Sequence, residues 1–75
     1  KQIAMYNCWN EALGYLIKRC GAITIPGRVS ARTYDKSNVK EEDQVIVRLL
    51  GQYHYGIQAK KDLYEVLISR GVVIN

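Results

Sequence analysis

The sequence predicts a mainly α domain, a compact three-helix fold with short extended segments. Three observations predict it. Apolar residues recur at three-four spacing in three stretches, about 2–20, 38–53 and 58–70. Glycines stand where the first and last of these stretches should stop, at Gly21 and Gly71. Largely β-branched runs follow each glycine, so the extended segments are placed at 22–34 and 72–75. With 75 residues the chain makes one small domain, 1–75, whose core is thin. An apolar content of 48% with 24% charged residues is a globular balance and excludes a disordered chain.

The first helix carries Met5, Cys8, Trp9, Ala12, Leu13, Leu16, Ile17 and Cys20 on one face. Lys18 and Arg19 suit the negative end of its dipole. Gly14 weakens it by about 1 kcal/mol relative to alanine, and would let another backbone approach closely. Cys8 and Cys20 stand twelve residues apart in this helix. At 1.5 Å per residue that is about 18 Å, beyond disulfide reach. Both are expected to be free core thiols, which fits a reducing, cytoplasmic setting. No apolar run approaches the roughly 20 residues of a membrane span, and no basic stretch followed by an apolar one marks a signal peptide.

AITIPGRVSARTYDKSN, residues 22–38, joins the first two helices. Pro26-Gly27 is a turn signal. Val29, Ala31 and Thr33 alternate with Arg28, Ser30, Arg32 and Tyr34, so the stretch fits either a small hairpin or an irregular connection packed on the helices. The β-branched runs after Gly21 and Gly71 could also pair with each other. The second helix should open at Asn38, with Glu41 three residues on completing a capping box. Glu41, Glu42 and Asp43 would then be helix-start charges rather than a carboxylate active site. Val39, Ile46, Leu49, Leu50 and Tyr53 supply its apolar face, and the turn YHYG ends it. The third helix shows Ala59, Leu63, Val66 and Leu67 on one face, with Tyr64 and Ile68 beside it.

No enzyme signature is present. The sequence has neither a glycine-rich phosphate loop nor a nucleophile elbow. His54, the one histidine, lies between two tyrosines and has no carboxylate or serine at a motif spacing. With a single histidine and no close cysteine pair, no zinc site and no cofactor are expected.

Charge is more telling. The formal balance is +4, and residues 21–40 set Arg28, Arg32, Lys36 and Lys40 against Asp35 alone, a local net of +3. Cations neutralise phosphates and a tyrosine such as Tyr34 can stack on an unpaired base. An aromatic turn followed by GIQAKKDLYE completes a second feature, in which Gln58 pairs with adenine while Lys60 and Lys61 contact guanine or phosphate. Lys60 and Lys61 also read as a solvated face beside Asp62 and Glu65.

IVRLLGQYHYGIQAKKDLYEVLISRGVVI, about residues 45–74, resembles the start of a helix-turn-helix or winged-helix regulator through Leu49, Gly56, Leu63, Leu67 and Gly71. The resemblance implies transcription regulation, with residues 58–70 as the reading helix entered by a turn unlike the common one. The expected site is therefore Arg28, Arg32, Tyr34, Lys36, Lys40, Gln58, Lys60 and Lys61, and the expected partner is nucleic acid, DNA in preference to RNA. The alternative is a non-enzymatic protein-interaction module, an adaptor, inhibitor or homodimer, built on tyrosines such as Tyr6 and Tyr15 that fall off the main stripe.

Overall fold

The computed structural model describes residues 8–27 and 32–74. The fold is the expected one: three helices and a two-stranded antiparallel hairpin around one core. Helix α1 is Cys8–Cys20, strands β1 and β2 are Ala22–Thr24 and Arg32–Tyr34, and helices α2 and α3 are Gln44–Gly51 and Ile57–Ser69. The expected turns of α1 at residues 2–7 lie outside the described residues, as do Arg28 and the tip of the hairpin.

Each helix buries the stripe its spacing implied. Cys8, Ala12, Leu16 and Cys20 meet Ile46, Leu49 and Leu50 of α2 and Leu63 and Leu67 of α3. The first turn of α1 touches that of α3, where the Cys8 thiol donates to the carbonyl of Lys60 at 3.7 Å. The last turn of α1 meets the residue before α2 and the residue after α3 through Arg19, Asp43 and Arg70. So α1 and α3 run in one direction, in direct contact, and α2 runs opposite to both.

Both helix stops follow the glycines, with different bonds. Gly21 sits at φ +97° and donates to the carbonyl of Ile17 at 2.9 Å, the simple left-handed cap. Gly71, at φ +82°, donates to Ile68 while Val72 donates to Leu67, the paired Schellman closure.

The structure corrects several expectations. The second helix does not begin at Asn38. Lys36–Asn38 and Glu41–Asp43 are separate 3-10 turns, and between them Val39 and Lys40 are extended. Asn38 is not a helix cap. Its amide donates to the carbonyl of Cys20 at 3.1 Å, and the Lys40 ammonium donates to that of Arg19 at 3.1 Å. The last carbonyls of α1 thus claim the groups that were expected to start α2. Asp35 is the local cap instead, accepting from the Ser37 amide at 3.0 Å and its hydroxyl at 2.6 Å. The run after Gly71 forms no strand; β1 pairs with β2, Ala22 opposite Tyr34 and Thr24 opposite Arg32. Among the described residues nothing approaches Gly14, where an added Cβ would meet no atom within 4 Å.

Candidate nucleic-acid interface

The connector between α1 and α2 sets its cations outward. Arg32 is exposed on β2, and Lys36 and Lys40 are exposed on and after the first 3-10 turn. The β2 register and the Asp35 cap fix this stretch, with the amide of Asp35 donating to Gly21 at 2.8 Å. Lys40 uses one donor on Arg19, and an ammonium has three, so it still faces solvent with charge to offer. Lys36 lies 5.8 Å from the centre of the Tyr34 ring.

Tyr34 itself is a core residue. It is 5% exposed and burial pushes its phenol above the ordinary value of 10.0. The stacking role expected of its ring is not open to it, because β2 is held against α1 and turns this side chain inward.

Two of the three acids that follow the connector are engaged elsewhere. Asp43 is fully buried, accepting from Arg19 Nε at 2.6 Å and from an Arg70 guanidinium nitrogen at 2.6 Å. Glu42 pairs with Arg19 at 3.0 Å, and its carbonyl accepts from Arg70. Arg70 also donates to the Tyr15 hydroxyl at 3.3 Å. These contacts hold both guanidiniums above their ordinary range, Arg19 chiefly through Asp43 and Arg70 chiefly through Tyr15. Every ion pair among the described residues belongs to this cluster. All three acids stand in the turn that leads into α2, but Glu42 and Asp43 also tie it to α1 and α3, and Arg32, Lys36 and Lys40 form no ion pair among the described residues.

The start of α3 offers less than the sequence suggested. The Gln58 amide donates to Asp62 one turn on, at 2.8 Å. The Lys60 ammonium donates to the carbonyl of Tyr53 at 2.7 Å and rests 4.5 Å from the centre of that ring. Only Lys61 of the three is exposed with no such internal contact among the described residues. Ile57 and Ile68, 59% and 44% exposed, share the outer stripe of α3. They are eleven residues apart, about 16 Å, with Lys61 and Glu65 between, so they do not form a continuous apolar patch.

Sequence reasoning passed over the aromatic turn as a surface. Tyr53–Tyr55 is a 3-10 turn that brings three rings together. Trp9 packs edge-on to Tyr53 at 5.1 Å and lies nearly parallel to His54 at 5.6 Å and 30°. Tyr53 is buried, His54 is exposed, and Tyr55 stands 83% exposed beside it. Trp9 also lines a groove of about 330 Å³ between α1, β2 and α2, with Leu13, Thr33, Val47 and Lys36. The quoted YHYG and the lone tryptophan were the available signals, but their meeting across 45 residues was not legible.

A larger hollow, about 460 Å³, lies between α1 and the tail after α3. It mixes Glu11 with Lys18 and with Arg70, whose guanidinium is already engaged. Among the described residues no group of three or more His, Cys, Asp or Glu is placed to hold a metal, and no helix is long and apolar enough to cross a membrane. No protein-family model matches the chain, and no curated protein or solved structure shows significant similarity to it.

Proposed function

We propose that this domain binds nucleic acid, with Arg32, Lys36 and Lys40 neutralising consecutive backbone phosphates. One observation carries the reading. The connector cations face solvent and form no ion pair among the described residues, while Glu42 and Asp43, two of the three acids that follow them, are taken by Arg19 and Arg70. An excess of unpaired, exposed cations on one short segment attracts a polyanion and releases its counterions. The reading rests on phosphate chemistry rather than on base reading by α3, since Gln58 and Lys60 are bound within the molecule.

The test is a titration of labelled single strands and duplexes across a salt series. Three phosphate contacts predict a slope of log affinity against log salt of about −2 to −3. Lys36→Ala should reduce that slope by roughly 0.7 to 0.9. Affinity that ignores salt, or a slope untouched by Lys36→Ala, would remove the proposal.

A further inference from the structure

We infer, building on the nucleic-acid reading above, that the strand held is unpaired. One base stacks on the Trp9–His54 pair, with Lys36 taking an adjoining phosphate. The rings come from α1 and from the turn between α2 and α3 and stack on each other at 5.6 Å and 30°, so the pair offers an outer aromatic face to a base. His54 is exposed, so this surface reaches solvent. Trp9, without His54, also lines the groove where Lys36 lies, placing an aromatic ring and a cation on one small site. That combination recognises unpaired nucleotides, because every base carries a π face and every nucleotide a charge. The walls beside Trp9, from Leu13 and Val47, are apolar and suit a base rather than a second phosphate. At about 330 Å³ the groove lies at the lower end of small-molecule sites, suited to one ring system and far too small for a duplex. Tyr55, next in sequence and 83% exposed, offers a further ring to a neighbouring base.

The rival substrate, duplex read by α3 in a major groove, lacks its contacts. Two of its three expected donors, Gln58 and Lys60, are bound to Asp62 and Tyr53, leaving Lys61, and the exposed stripe of α3 carries Glu65, which would face phosphates.

Trp9 is the chain's one tryptophan, so its emission reports on this site alone. The experiment titrates the whole chain, at low salt, with a short oligothymidylate and with a hairpin duplex of equal charge. Stacking predicts quenching by the single strand and none by the duplex. His54→Ala, at an exposed position, should weaken single-strand binding by roughly tenfold and leave duplex binding and the circular dichroism unchanged. Lys36→Ala should weaken both. Equal binding of the two with Trp9 emission unmoved would overturn the stacking site while leaving phosphate binding intact. No salt-dependent binding to either would overturn the nucleic-acid reading, and the stacking site with it.

Discussion

Asp43 is where the basic ends of two helices converge. Each carboxylate oxygen takes one guanidinium, Oδ1 from Arg70 and Oδ2 from Arg19, and the side chain has no exposed surface. The arginines keep part of their surface in water, 34% and 23%, so the buried charge is the carboxylate's. Removing it would leave two cations facing one another across an emptied acceptor site. Asp43→Asn keeps the shape and removes the charge. It should lower stability by about 3 kcal/mol, as breaking a buried pair does. In a domain of this size that is a fall in melting temperature on the order of 15 °C by calorimetry. Glu41→Gln, at an exposed neighbour, should change stability by less than about 0.5 kcal/mol. Equal effects at the two positions would show that the acidic run acts only as diffuse charge. The sequence could not separate these acids. Asp43 differs from Glu41 only through partners 24 and 27 residues away, and nothing local records them.

Among the elements, α1 and α3 were legible because their partners bury a stripe that repeats every turn. Leu16, Leu63 and Leu67 announce themselves by spacing alone. The second helix was misplaced by a genuine local signal. Asn38 and Glu41 match a capping box, yet Asn38 and Lys40 serve the carbonyls that end α1, and the chain between the two 3-10 turns stays extended. Tertiary demand for donors outweighed local preference there. The glycines give a paired prediction of opposite sign. Gly71 holds φ +82°, which an L side chain adopts only with strain, so Gly71→Ala should destabilise by about 1–2 kcal/mol. Gly14 lies in the exposed middle of α1 with open space around an added Cβ, so Gly14→Ala should stabilise by roughly 0.5–1 kcal/mol. Urea midpoints for the two variants should therefore fall on opposite sides of the parent. A Gly71→Ala midpoint at or above that of the parent would contradict the assignment of Gly71 as the closing residue of α3, and a Gly14→Ala midpoint below it would contradict the open space around Gly14.

At the scale of the molecule, the candidate site explains why function was harder to read than fold. Core positions recur within one segment, whereas the site joins Trp9, Lys36 and His54 from three segments that only the folded chain brings together. The same folding places titratable groups in the core, and this fixes how stability responds to base. Cys8 in α1, Tyr34 in β2 and Tyr53 in the turn after α2 are all buried, and burial pushes each above its ordinary value, 9.0 for the thiol and 10.0 for the phenols. The folded state therefore retains protons that the unfolded chain releases. Their contribution is complete below about pH 9 and is lost as pH rises through 9 and 10 towards the raised folded values. Each group steepens the loss by at most about 1.4 kcal/mol per pH unit. Urea unfolding at neutral pH, near pH 9 and above pH 10 should show a steady midpoint over the first interval and a falling one over the second. Tyr34→Phe keeps the ring and deletes the ionisable hydroxyl, so its midpoint should fall less steeply above pH 10 than that of the parent. A parent midpoint unchanged above pH 10 would mean that these groups ionise as easily in the folded chain as in the unfolded one. The core would then not be closed around β2 and the aromatic turn, and the rigid seating of Trp9 against His54 would lose its support.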